Sequence, residues 1–179
     1  WRKPIGEGHS SVVAVHNRIY TLEQIGSFET LTCLSIEDGS VQWQHQREER
    51  WSDSMGGIGP RSTPVHSNGS LYYLSSGGKL TCLDAVSGKV IWEQNAIAPD
   101  YEYPHWGIAC SPLAIGKLVV VSPGGVGAVK AFDAETGEQR WTSELTGPGV
   151  YLSPAALDLL GEKHLVAAVE GKLAGLDPT

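Results

Sequence analysis

Short apolar runs alternate along this chain with clusters of Gly, Asn, Asp and Ser, at intervals of roughly ten residues, the pattern of antiparallel strands joined by tight turns. Between positions 60 and 95 the runs are Pro64–His66, Leu71–Leu74, Leu80–Asp84 and Lys89–Trp92. They are separated by Ser67-Asn68-Gly69-Ser70, Ser76-Gly77-Gly78 and Val86-Ser87-Gly88. This predicts four strands in one unit. No stretch sustains the 3.6-residue period of an amphipathic helix, and none carries a convincing helix cap. The fold class is therefore all-β.

The unit repeats. Leu31-Thr32-Cys33-Leu34-Ser35-Ile36-Glu37-Asp38-Gly39 leads to Trp43, and Leu80-Thr81-Cys82-Leu83-Asp84-Ala85-Val86-Ser87-Gly88 leads to Trp92. A third copy, Val129-Lys130-Ala131-Phe132-Asp133-Ala134-Glu135-Thr136-Gly137, leads to Trp141, so both intervals are 49 residues. A fourth, Leu173-Ala174-Gly175-Leu176-Asp177-Pro178-Thr179, stops before its glycine. A four-stranded unit of about 40 to 50 residues repeated around an axis is a propeller blade. Positions 1–179 are read as one β-propeller segment of four-stranded antiparallel blades, about four in number, with repeats ending near Trp43, Trp92, Trp141 and Thr179. That is half of a seven- or eight-bladed ring, or a small ring of its own. The missing initiating methionine favours a fragment or trimmed chain, and two half-rings closing as a homodimer is the third arrangement.

Gly39, Gly88 and Gly137 permit a positive φ in the turn before the outermost strand. Trp43, Trp92 and Trp141 then sit on that strand, where an indole covers the gap between blades and buries roughly 150 to 250 Å². Trp1, 42 residues before Trp43, fits as the same residue of a preceding blade. These residues resemble the tryptophan-docking repeats of the PQQ-like, or quinoprotein alcohol dehydrogenase-like, β-propellers. That group holds quinone-dependent dehydrogenases and also non-catalytic members such as the outer-membrane assembly lipoprotein, so the resemblance implies a fold and leaves two functions open. It also implies an extracytoplasmic location, periplasmic or secreted.

Charge and cysteine narrow the field. A net charge of −7 with scattered Lys and Arg lacks the basic stripe that nucleic-acid phosphates require. No apolar run is long enough to span a bilayer as a helix. Cys33 and Cys82 occupy the repeat position filled elsewhere by Ala131 and Gly175, which marks them as small core residues; Cys110 stands alone, and no metal-ligand spacing appears.

In a propeller the loops carry what varies. Two linkers, Gln44–Arg61 and Glu93–Ser111, are rich in aromatic and charged residues, among them Asp53, Asp100, Tyr101, Glu102 and Tyr103. Each linker leads into a related segment: Arg61-Ser62-Thr63-Pro64, Ile108-Ala109-Cys110-Ser111-Pro112 and Val150-Tyr151-Leu152-Ser153-Pro154, with Gly8-His9-Ser10-Ser11 as a degenerate copy. Proline suits the first residue of a strand, so the residues before it approach the axis. Arg61, His105, Trp106, Tyr151 and His9 are the candidates to line one mouth of the channel. Arg61 is either a carboxylate- or phosphate-binding guanidinium or an anchor on backbone carbonyls, and Trp106 either stacks on a ligand or packs over a blade. Tyr101, Glu102, Tyr103 and His105 form either a ligand wall or a solvated rim. Pro123-Gly124-Gly125-Val126-Gly127 reads as a strand turn, with no helix to make it a phosphate loop.

No catalytic constellation stands out, and no metal site is expected. The leading expectation is a non-catalytic scaffold or binding module without a cofactor, presenting its loops to a protein or a saccharide. The alternative, implied by the resemblance, is a fragment of an alcohol or sugar dehydrogenase that uses PQQ with calcium. Against it, the adjacent cysteine pair common to those enzymes is missing.

Overall fold

The computed structural model describes residues 1–148 and 151–178. Among them, successive antiparallel sheets are laid down in chain order. The first contains β1 (Val12–Val15), β2 (Arg18–Ile25), β3 (Phe28–Ser35) and β4 (Val41–Glu48). A small hairpin of β5 (Ser52–Asp53) and β6 (Gly57–Ile58) follows. The second sheet contains β7 (Val65–Ser67), β8 (Ser70–Leu74), β9 (Lys79–Asp84) and β10 (Val90–Asn95). In the third, β11 (Leu113–Ile115), β12 (Leu118–Val121), β14 (Lys130–Asp133) and β15 (Gln139–Thr142) form the blade, while β13 (Gly125–Val126) pairs with β16 (Thr146–Gly147) above it. The fourth has three described strands, β17 (Ala155–Leu159), β18 (Glu162–Val169) and β19 (Lys172–Leu176).

These are the blades of a β-propeller. The fourth blade departs from the expected four strands among the described residues, and Val150 and Thr179 lie outside them. The glycine-rich segment joins two strands as expected, and its Gly125 and Val126 add a short ladder to Gly147 and Thr146.

Alternation of side chains places the core between blades. Leu71 and Tyr73 of β8 face the first blade and join Tyr20, Leu22, Leu31 and Cys33. Their neighbours Tyr72 and Leu74 face the third, with Cys82, Val119, Val121 and Phe132. A strand buried on both faces has no room for a register slip, because a one-residue shift would exchange the two seams. The seam between the third and fourth blades gathers Val120, Val129, Ala131, Leu165 and Ala167.

The outermost strand of each of the first three blades carries a β-bulge at one repeat position. Cys33 pairs with Trp43 but Leu34 with Val41; Cys82 pairs with Trp92 but Leu83 with Val90; Ala131 pairs with Trp141 but Phe132 with Gln139. One extra residue (Gln42, Ile91 or Arg140) is thus accommodated just before each indole, and a bulge re-aims the side chain that follows it. The small residue at 33, 82 or 131 lies directly across from the tryptophan. The Trp43 and Trp92 rings then reach a glycine of the following blade, as Trp1 reaches one of the first. A Cβ on Gly88 would lie 2.6 Å from the Trp43 ring, one on Gly137 2.6 Å from Trp92, and one on Gly39 2.6 Å from Trp1. Those glycines take φ of 70°, 71° and 76° at 39, 88 and 137. The aspartate ahead of the turn secures it: Asp84 accepts from the Ser87 amide at 2.7 Å, and Asp133 from the Thr136 amide at 3.0 Å. The Ser87 hydroxyl, donating to Asp84 at 2.6 Å, and then its amide hold Asp84 below the usual carboxylate range, as the Thr136 amide chiefly holds Asp133.

A second chain of contacts runs around the axis. The Ser11 amide donates to Thr63 Oγ1 at 2.9 Å, the Thr63 amide to Ser111 Oγ at 2.9 Å, and the Ser111 amide to Ser153 Oγ at 2.8 Å. Each hydroxyl stands at the same place in its repeat, immediately before the innermost strand, and each satisfies an amide that the sheet itself leaves without a ladder partner.

Candidate functional site

The hydroxyl relay sets the register of a cleft above it. His9, Arg61, Ala109 and Tyr151 each precede a relay residue by two positions, and all four line one cleft of about 390 Å³. Met55, Gly56 and Trp106 complete its wall. Equivalent positions in four blades therefore converge, because each strand is delivered to the axis in the same orientation. Of the five residues singled out from the sequence, His9, Arg61, Trp106 and Tyr151 meet here. His105 stands outside the lining, with its ring against Trp106 at 5.9 Å.

Arg61 is held from one side. Its guanidinium is ion-paired with Asp53, both side chains being almost wholly buried, and its Nη1 donates to the Gly59 carbonyl at 3.3 Å. These partners lie within its own linker, so the anchor is local and does not cross to another blade. Asp53 sits in the β5–β6 hairpin, where Oδ1 accepts from the amides of Gly56 at 2.5 Å and Met55 at 3.0 Å, and Oδ2 from the Trp51 indole at 3.3 Å. Chiefly through the Gly56 amide, its pKa falls to about 2. An acidic turn residue that satisfies its own backbone two or three positions on is a familiar turn former, and here the same carboxylate also fixes the cation. Gly56 leaves no space for a side chain, since a Cβ would strike the guanidinium.

His9 reaches the same hairpin, with Nε2 2.7 Å from the Gly56 carbonyl. A carbonyl only accepts, so Nε2 carries the hydrogen. Across the cleft, Trp106 and Tyr151 stack at 4.8 Å with a tilt of 49°, and the Trp106 amide donates to the Tyr151 hydroxyl at 3.2 Å. Trp106, Tyr151 and Met55 all remain exposed. With Arg61 and His9 occupied by protein partners, the surface offered to a visitor consists mainly of two aromatic faces and a thioether.

The linker tyrosines serve the frame. Tyr101 donates to the Pro123 carbonyl, and its burial raises its pKa to about 12. Tyr103 donates to the Gly77 carbonyl at 3.2 Å and packs on Trp51 at 5.6 Å and Tyr101 at 5.2 Å. Asp53 is the ion-pair partner of Arg61, and among the described residues no group of three or more His, Cys, Asp or Glu could hold a metal ion. Cys33, Cys82 and Cys110 are free and buried, with Cys110 pushed up to about 11 by burial. Sequence reasoning did not place Met55, Gly56 and Ala109 at the site. Ala109 carried a signal, its register with Arg61 and Tyr151, but a small residue draws no attention as a binding group.

The family described as outer membrane protein assembly factor BamB, a PQQ-like repeat family, matches residues 27–179. The quinoprotein ethanol dehydrogenase of Pseudomonas putida is 30% identical over 137 residues, covering 72% of this chain and 19% of that protein. The outer membrane protein assembly factor BamB of Bordetella pertussis is 27% identical over 152 residues, covering 68% of this chain and 39% of its own. The chain thus spans well under half the length of these curated relatives. Among solved structures, BamB from Moraxella catarrhalis superposes with a TM-score of 0.64 at 15% identity, over 89% of this chain and 45% of that one. At that identity the likeness concerns the fold.

Proposed function

This chain belongs to the PQQ-like repeat family described as outer membrane protein assembly factor BamB, and on that premise we propose that it is a non-catalytic propeller segment that binds a protein partner at the axial cleft. The observation that carries this reading is the cleft itself, in which Trp106, Tyr151 and Met55 are presented while Arg61 and His9 are already satisfied. Tryptophan, tyrosine and methionine are enriched where proteins meet, and a well-packed aromatic anchor is typically worth about 2 kcal/mol or more. Such a cleft takes an apolar side chain of a partner more readily than it takes a charged group, whose desolvation nothing here repays. The proposal includes a location outside the cytoplasm, supported by the family's description as an outer membrane assembly factor. A saccharide stacked on Trp106 is the other ligand that the ring faces would suit.

The test is a photo-crosslinker placed at Met55 and, as a control on the outer rim, at Glu135. Adducts that form from Met55, are absent from Glu135 and disappear in Trp106→Ala support the reading. Equal labelling from both positions would dismiss it.

The identity to quinoprotein ethanol dehydrogenase favours a second reading, a segment of a quinone-dependent alcohol dehydrogenase. Among the described residues no group of three or more His, Cys, Asp or Glu is placed to hold a cation, and the cleft's guanidinium is paired with Asp53. On this reading the ligands come from outside the described residues. Reconstitution with quinone and calcium, followed by dye reduction on an alcohol panel, separates the two.

The fourth blade also invites a second copy of the chain. Leu173 is 78% exposed, whereas its repeat counterparts Leu31, Leu80 and Val129 are fully buried. An apolar blade face of this kind is an association surface.

A further inference from the structure

Away from the cleft, two glutamates of the first blade converge on one turn of the second. Glu29, on β3, is 1% exposed, and both its carboxylate oxygens accept from the Ser76 amide at 3.2 Å. Glu49, the residue after β4, accepts from the Ser76 hydroxyl at 3.0 Å and from the Gly77 amide. The two backbones are themselves bonded, the Glu29 amide to the Glu49 carbonyl at 3.1 Å. Ser75–Gly78 is thus gripped by two acidic side chains at a single residue. The same turn holds both halves of the second linker's frame: the Gly77 carbonyl receives Tyr103, and the Gly78 carbonyl receives the Ala96 amide at 2.8 Å.

The surroundings offset this pair's charge only in part, Arg47 being the least of the influences that lower Glu29. Arg47, on β4, is the nearby cation, but its guanidinium is spent on Glu93 of β10 and on Thr81 of β9 at 3.2 Å. His45, also on β4, is partly buried and held towards its neutral form by burial and then by Arg47. From the second blade Tyr73 of β8 faces Glu29, raised by burial against an opposing pull from Arg47, with Glu29 adding only the least of its influences; from the linker Tyr103 faces Glu49 and is raised by burial and then by that carboxylate. Burial, and secondly the Glu49 charge, raise Glu29 to about 7. Two close carboxylates in a low-dielectric setting cannot both ionise cheaply.

We propose that Glu29, beside Glu49, forms a proton-operated latch between the first two blades, closed on the Ser75–Gly78 turn while Glu29 is protonated and loosened when it ionises. With one proton present, the pair carries a single negative charge that the turn's amides and hydroxyl accommodate. Without it, two charges compete for the same donors at Ser76. The Glu29 pKa in the fold exceeds its ordinary value, so the latch's contribution is fully present below that ordinary value. It is lost as pH rises from about 4.5 through about 7.

The experiment is a carbon-13 titration of the glutamate carboxyls in the intact chain, with amide exchange of the 75–78 turn measured at pH 5.5 and pH 8. One carboxyl should titrate near neutrality and vanish in Glu29→Gln. Exchange at Ser76 and Gly77, corrected for the intrinsic rate, should rise about tenfold on raising the pH in the wild type and stay level in the variant. Should Glu29→Gln not fold, Glu49→Gln reads the same pair, and it should lower the Glu29 midpoint. Glutamates that all titrate below pH 5.5, turn protection that follows the same course in Glu29→Gln, or a Glu29 midpoint unmoved in Glu49→Gln would each overturn the latch. None of these readouts involves the cleft or its ligand.

Discussion

Gly69 and Gly88 have nearly the same backbone, with φ of 80° and 71°, yet a methyl group meets open space at Gly69 and the Trp43 ring at Gly88. Alanine at either position pays about 1 to 2 kcal/mol for the left-handed conformation. At Gly88 overpacking adds about 1 to 3 kcal/mol. Urea denaturation should therefore separate Gly69→Ala from Gly88→Ala, and equal losses would show that the indole contact carries no weight. The sequence marks the glycine through its turn but says nothing of the ring above it, which arrives from the preceding repeat. Asp53 makes a different test. Its pKa lies below the ordinary carboxylate value near 4, so its contribution to stability is present above that value and is lost as pH falls towards about 2. The stability gap between the wild type and Asp53→Asn should be widest near neutrality and should close on acidification, as followed by thermal melts.

Strands and turns were largely legible because alternation and the 49-residue interval impose them: the four runs read in the second unit fall on β7, β8, β9 and β10. What stayed hidden is what one strand does to another. The bulge before each tryptophan leaves no compositional trace, since Gln42, Ile91 and Arg140 share no chemistry. The β5–β6 hairpin was hidden too, because its pairs are short and its stability comes from Asp53 and Arg61, which the sequence shows only as two charges in a linker. The Ser/Thr-Pro segments were visible as strand starts, while their hydroxyl relay depends on neighbours about 50 residues away. Cross-blade bonds can be weighed here. The Tyr20 hydroxyl donates to the Ala85 carbonyl and that of Tyr72 to the Ala134 carbonyl, each at 3.0 Å. Tyr20→Phe and Tyr72→Phe should each cost about 1 kcal/mol, and because they lie in different seams the double variant should be additive within about 0.5 kcal/mol. A larger coupling would mean that the middle blade transmits strain.

For the molecule as a whole, the proposed pairing of this chain through Leu173 of the fourth blade can be tested in solution. Light scattering should find the chain self-associated in a concentration-dependent manner, and Leu173→Asp should shift it towards the monomer; identical masses for both would remove this face as the contact. The direction in which the repeat indoles point has a consequence in time. Three repeat tryptophans reach forward: Trp1 to Gly39, Trp43 to Gly88, Trp92 to Gly137. During synthesis an emerging repeat cannot shelter its indole until the next one has left the ribosome. Maturation of the nascent chain must then trail translation by about one blade, and a pause in decoding would leave a single bare indole as the waiting handle for a chaperone.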